Sequence, residues 1–304
     1  MLELKVNNET SQLKTVVLGI ADSFGGLPEL VNCYDPKSKE HVLNGTFPEE
    51  PNIKIEINEF LNVLNKYDVK VFRPENINNL NQIFTRDIAF VIDDKLILSN
   101  ILSDRKEELK AIDYLLSFIA PEKIISLSDS ARIEGGDVIL YNDYVFIGYS
   151  EESDFNDFTV ARTNKEGVIQ IQKKFPNKKV KSFELVKSDT VAKNNSLHLD
   201  CCFQPIGKNK AIIYEGGFKN IADIQYLNKL FGANNLIKIN QDEMYEMNSN
   251  IFSISENVIV SEKNFIRLNQ ALINHGFLVE EIAFSEISKM EGLLRCSTMP
   301  LIRI

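Results

Sequence analysis

The chain has 304 residues, 44% of them hydrophobic and 25% charged, and 43 Asp plus Glu against 34 Lys plus Arg leave a net charge of −9. This composition excludes disordered, collagen-like and coiled-coil architectures. An acidic surface repels phosphate backbones and anionic lipids, so nucleic acid and membranes are not expected partners. No run approaches the roughly 18–20 consecutive apolar residues of a membrane span. The opening MLELKVNNETSQLK has no apolar run behind its charges, so no signal peptide is expected. Cys33, Cys201, Cys202 and Cys296 are too few and too scattered for a disulfide framework. The expectation is a soluble, cytoplasmic α/β protein.

In chain order, TVVLGI (15–20) reads as a strand whose returning partner is not visible. IEINEFLNVLNK (55–66) has helical period, with Ile55, Phe60, Leu61 and Leu64 on one face, and VKVFRPE (69–75) follows as a strand. FVIDDKLILS (90–99) reads as a hairpin turning at Asp-Asp. DRKEELKAIDYLLSFI (104–119) predicts a helix capped by Asp104, and KIISLS (123–128) a strand. VILYNDYVFIGYS (138–150) and CFQPIGKNKAIIY (202–214) are two more hairpins, the latter followed by helix IADIQYLNKLF (221–231) and strand LIKIN (236–240). The last set is hairpin IFSISENVIVS (251–261), helix NFIRLNQALINHG (264–276) stopping at Gly276, and strand FLVEEIAF (277–284). A hairpin, helix and strand thus recur about every 50–65 residues, the spacing of a repeated supersecondary unit. No Pro/Gly/Ser-rich linker interrupts them, so residues 1–304 are expected to form one domain. Five such modules around an axis would make an α/β propeller or barrel.

The chemically capable residues share one place in the repeat. Asp87 precedes the first clear hairpin, Glu134 and Asp137 the second, His198 and Asp200 the third, Asn248 and Asn250 the fourth, while Cys296 follows the last module. Modules encircling an axis would bring these positions together at one end. Taken singly, each has a plain structural alternative. A free cysteine is commonly a small apolar packing residue, and reactivity depends on a lowered pKa, which the neighbouring Arg295 could promote. His198 and Asp200, two apart in an extended segment, would share a face, serving either a buried structural hydrogen bond or acid–base chemistry. Glu134-Gly-Gly-Asp137 is either a turn or a place where backbone approaches a ligand closely. HExxH, CxxC, Walker A and GxGxxG patterns are absent, so neither a metal nor a nucleotide is expected.

Together FTRD, IEGGDV, HLD and RCSTMPL, spanning about Leu13 to the C-terminus, resemble the guanidine-modifying superfamily, the penteins, which includes arginine deiminases, dimethylargininases and amidinotransferases. The resemblance implies a five-fold pseudosymmetric α/β propeller, in agreement with the repeat. It implies Cys296 as nucleophile, His198 as general acid/base and Glu134 as the carboxylate completing a triad. It further implies that Asp87 and Asp200 grip the substrate guanidinium, and that Arg162 pairs with a substrate α-carboxylate, although the acidic stretch EESDFNDF separates Arg162 from the preceding strand. The implied reaction is cysteine-dependent hydrolysis of a guanidino C–N bond of arginine or a derivative, with no metal and no cofactor. Transfer of the amidino group to an acceptor amine is the alternative, and a non-catalytic guanidino-binding relative the remote one. The expected partner is a small guanidino compound, and a homo-oligomer is compatible with the sequence.

Overall fold

The computed structural model describes residues 1–304, and its strands form five separate three-stranded sheets. In chain order the strands are β1 (Leu13–Leu18), β2 (Lys70–Phe72), β3 (Ala89–Ile92), β4 (Lys95–Leu98) and β5 (Ile124–Ile125). They continue with β6 (Val138–Tyr141), β7 (Tyr144–Tyr149), β8 (Lys179–Glu184), β9 (Phe203–Ile206) and β10 (Lys210–Ile213). The last five are β11 (Leu236–Lys238), β12 (Phe252–Ser253), β13 (Val258–Glu262), β14 (Leu278–Ile282) and β15 (Thr298–Arg303). In four sheets an antiparallel hairpin is joined by a third strand running parallel to its second member, for example β3–β4–β5 and β9–β10–β11. A parallel return needs a crossover, which the intervening helical segment supplies. The result is a five-fold α/β propeller, the architecture that the resemblance implies.

The fifth sheet closes the ring. The partner that the sequence did not reveal for β1 is the C-terminal strand: β1 pairs antiparallel with β15, Leu18 opposite Thr298, and parallel with β2. β15 therefore plays in this module the part that β3, β6, β9 and β12 play in theirs. That places Cys296, two residues before β15, at the position equivalent to Asp87 before β3 and Asn250 before β12.

Turn chemistry fixes the hairpin registers. Asp93 and Asn142 open two-residue turns at φ 53° and 54°, and Gly207 and Asn209 hold φ 50° and 58° in a three-residue loop. Asn, Asp and Gly tolerate this left-handed region best. Of the two α-helices between β1 and β2, Pro36–Leu43 and Glu50–Lys66, the longer buries Ile53, Ile57, Phe60 and Leu64. Ile55, expected on that face, is instead exposed, because the helix starts earlier and its buried stripe is 53/57/60/64. Each of those side chains contributes about 1.5–3 kcal/mol by leaving water. Phe60 packs edge-on against Phe252 and Phe284, tying this helix to the last module.

Two other expectations change. Residues Ser103–Ile112 form 3₁₀ helix, followed only by a short α-turn at Asp113–Leu116, and Asp104 caps neither. A further helix, Lys165–Lys174, and strand β8 lack a sequence signal: KVKSFE is lysine-rich and only Phe183 is buried. That helix buries just Gly167, Val168 and Ile171 and is capped by Asn164, whose side chain accepts the Gly167 N–H at 2.9 Å. No helix is long and apolar enough to cross a membrane.

Candidate active site

The segments leading into the first strands of the modules converge on one cavity of about 480 Å³, whose lining includes Asp87, His198 and Cys296. The EGGD turn is what lets them approach. A Cβ on Gly135 would come within 2.1 Å of the Arg86 carbonyl oxygen, and one on Gly136 within 2.6 Å of His198 Nδ1. The two glycines therefore make room for neighbouring modules of the protein, not for a ligand.

His198 sits in a charge-rich corner. Its Nε2 lies 2.8 Å from Glu134 Oε2, and its Nδ1, which has no hydrogen-bond partner, lies 3.9 Å from Asp87 Oδ1. Burial alone would depress its pKa, but Asp87, Asp137 and Glu134 outweigh burial and hold it above the ordinary value. Burial likewise opposes the Glu134 charge, yet Arg162 and His198 prevail and hold this fully buried carboxyl well below the usual range. Arg105 was not foreseen. Its Nη1 donates to Asp87 Oδ2 at 3.0 Å, while Nε and Nη2 grip Glu108 at 2.9 and 2.8 Å. Asp87 Oδ1 has no donor and faces the same corner, and burial raises the Asp87 pKa.

Cys296 occupies a different setting. Asn250 holds it twice: Nδ2 donates to Sγ at 3.1 Å, and Oδ1 accepts the Cys296 N–H at 3.1 Å. Asn250 was placed here by the repeat but given no role. Asp200 Oδ2 is 3.7 Å from Sγ. Arg295 does not serve the thiolate. Fully buried, it donates to Asp200 Oδ2 at 2.8 Å, Glu9 Oε1 at 3.0 Å and the Val138 carbonyl at 2.7 Å, pinning the N-terminal segment to the axis. Burial first, then Asp200 and Asp87, push the Cys296 thiol well above its ordinary value of 9.0, opposite to the shift expected from a neighbouring arginine.

Two more expectations meet a different geometry. Asp200 lies not in an extended strand but within the 3₁₀ turn Leu199–Cys201, with His198 as its N-terminal flank, and the pair does not hydrogen-bond; Asp200 is committed to Arg295 on one side of the thiol. Arg162 spends its guanidinium on the protein: Nη1 on Glu134 at 3.2 Å, Nη2 on the Tyr34 carbonyl at 2.9 Å, Nε on the Thr159 carbonyl at 3.2 Å. It thereby braces the Glu134 carboxylate. Cys201 and Cys202 are buried, as packing residues would be, and burial raises their pKa as it does that of Cys296. One ligand atom each from Asp87, Glu134 and His198 lie within 4.8 Å of one another, a spacing that could hold a metal ion. Both carboxylates already carry an arginine, so their charge is matched before any cation arrives.

Known proteins resemble this arrangement over most of the chain. Residues 49–303 match the family model described as N,N dimethylarginine dimethylhydrolase, eukaryotic. An uncharacterized protein, YkgA, of Bacillus subtilis is 30% identical over 99% of both chains. The N-terminal domain of ArgZ, an arginine dihydrolase from cyanobacteria solved with a covalently bound reaction intermediate, superposes with a TM-score of 0.78 at 15% identity, covering 95% of this chain and 98% of its own. SxtG, an amidinotransferase from Microseira wollei, superposes with a TM-score of 0.76 at 17% identity over 99% and 97% of the two chains.

Proposed function

Because the chain belongs to the dimethylarginine dimethylhydrolase family within the pentein superfamily, we propose that it hydrolyses a guanidino C–N bond through a covalent amidino-cysteine. The observation that carries this reading is the meeting of Cys296 and His198 in one cavity, with Glu134 behind the imidazole and the acceptor-only Asp87 Oδ1 beside it. A planar guanidinium is bound by ionised carboxylates through charge-assisted hydrogen bonds, and the charges of Asp200, 3.7 Å from the thiol, and of Asp87 both act on Cys296. The same cation would cancel the field that keeps Cys296 protonated, so substrate entry and thiolate formation are coupled.

As the guanidinium binds, the thiol loses its proton to solvent; the thiolate then attacks the guanidino carbon, forming the C–S bond and placing the π electrons on nitrogen. His198 gives a proton to the departing amine, whose C–N bond breaks, leaving the amidino-cysteine. With Nε2 engaged by Glu134, Nδ1 is the nitrogen available for that transfer. The neutral imidazole then takes a proton from water, whose hydroxide adds to the same carbon and expels the thiolate. Arginine would give citrulline and ammonia. Acid-quenched mass spectrometry of the protein mixed with arginine and N-substituted arginines tests the reading. An amidino adduct on the peptide carrying Cys296 is expected, and an adduct elsewhere, or turnover by Cys296→Ala, overturns it. The likeness to SxtG favours amidino transfer as the second reading. Product formation that requires added glycine or another acceptor amine would decide for transfer over hydrolysis.

A further inference from the structure

Asp137, the last residue of the EGGD turn, has no part in the chemistry above, although it is fully buried beside His198. Its Oδ1 accepts the Leu199 N–H at 2.9 Å, on the C-terminal side of His198, and its own N–H donates to the Glu134 carbonyl at 3.1 Å. The Gly148 backbone packs so closely against Oδ1 that a Cβ there would overlap it. Lys187, just past β8, holds the N-terminal side of His198. Its Nζ donates to the Ser196 and Leu197 carbonyls at 2.9 and 2.7 Å. The Ser196 N–H donates to the Val186 carbonyl at 3.0 Å, so backbone also ties the lysine to the segment it grips.

A lysine is an expensive group for that task. A neutral amide satisfies backbone carbonyls, whereas a buried ammonium needs an opposing charge. Burial lowers the Lys187 pKa, and Asp137 leads the charges that oppose burial. Burial in turn raises the Asp137 pKa, and His198 and Lys187 oppose it. The charged groups facing His198 are Glu134, Asp87 and Asp137, and each has one cation behind it: Arg162, Arg105 and Lys187 respectively. Resting on the reading of His198 as proton donor given above, we propose that Lys187 and Asp137 are positioning residues, which clamp the backbone on both sides of His198 and aim its Nδ1 at the departing nitrogen.

Two readouts on Lys187→Met and Asp137→Asn test the clamp, one of them independent of turnover. Nuclear magnetic resonance follows His198 among the three histidines of the chain. In Asp137→Asn, which keeps an oxygen for the Leu199 N–H, His198 should titrate at lower pH than in the wild type, because a facing negative charge is gone. In Lys187→Met the imidazole N–H held by Glu134 should exchange faster with solvent. Quenched-flow mass spectrometry then reads the rate at which the Cys296 adduct forms. With arginine as the probe, Lys187→Met should slow adduct formation about ten- to hundredfold and leave KM within about threefold, the effect of a misaimed donor. With an S-alkylisothiourea, whose alkylthiolate departs without a proton when its C–S bond breaks, the loss should be within about threefold. Asp137→Asn is the variant that carries the test if Lys187→Met fails to fold, as judged by circular dichroism. Equal slowing with both substrates, or a His198 signal unmoved in both variants, overturns the clamp. A moved His198 signal in a protein that forms no adduct removes only the hydrolase reading, and an adduct with His198 unmoved removes only the clamp.

Discussion

The two halves of the cavity floor are built at equivalent positions of the repeat but from opposite electrostatics. On one side, Glu134, Asp87, Arg105, Arg162 and His198 form a dense, fully buried network in which nearly every charge has a counter-charge. On the other, Cys296 is held by the neutral amide of Asn250, lies 3.7 Å from Asp200 Oδ2 and feels the Asp87 charge. The first half favours the protonated form of His198; the second favours the protonated form of the Cys296 thiol. Under the proposed function, a guanidinium is the charge that would release the Cys296 thiolate. Such a pairing would confine thiolate reactivity to the moment of substrate binding.

The largest expected effects come from deleting either reactive group. Cys296→Ser should abolish turnover at the sensitivity of the product assay, because a neutral hydroxyl does not replace a thiolate. His198→Ala should lower kcat/KM by about 10²- to 10⁴-fold, the usual worth of a general acid–base group. A His198→Ala protein within tenfold of the wild type would show that the charged corner serves folding alone.

The ring was legible where a repeat could be counted. Four hairpins and four of the third strands stand out because their apolar and β-branched runs flank turn residues such as Asp93 and Asn142. The closing module was not legible, since its hairpin is split between residues 13–18 and 298–303 and no local pattern links the two ends. Knowing that closure would have placed Cys296 in the repeat instead of after it. Recurrence before each first strand brought Asp87, Glu134, His198, Asn250 and Cys296 to one place, but it gave no account of which atoms meet. Arg105 was missed because SDRKEEL reads as an exposed helix start, whereas a 3₁₀ segment turns the guanidinium inward to Asp87. Arg295 misled because adjacency in sequence to Cys296 carries no information about direction, and its side chain points to Glu9 and Asp200.

A middle-sized effect separates the halves by stability. Glu134→Ala removes the partner of buried Arg162 and of His198, leaving uncompensated charge, and should cost about 3–5 kcal/mol in urea denaturation. Asn250→Ala removes two hydrogen bonds of a neutral amide and should cost about 1–3 kcal/mol. A reversed order of the two midpoints would contradict the description of Glu134 as part of an ionic network and of Asn250 as a neutral support of Cys296.

The smallest effect is the most discriminating, because it has the opposite sign to the loss of function that accompanies it. Asp87 is among the charges that raise the Cys296 pKa, after burial and Asp200. Asp87→Asn removes that negative charge, leaves Arg105 its bidentate partner Glu108, and leaves Arg295 its bonds to Asp200 and Glu9. The thiol pKa should fall, so more thiolate is present at any pH below it. Alkylation of Cys296 by iodoacetamide in the absence of substrate should rise with pH past 9.0 in the wild type, the ordinary thiol value above which this one is held. In Asp87→Asn the same curve should move to lower pH, making alkylation at pH 7.5 faster by about two- to fivefold, since rate follows the thiolate fraction. Catalysis should move the other way, with KM for a guanidino substrate rising as one side of the grip is lost. Peptide mapping identifies the alkylated cysteine. Slower or unchanged alkylation in the variant would mean that burial alone sets the thiol, and the coupling of substrate charge to thiolate formation would have to be abandoned.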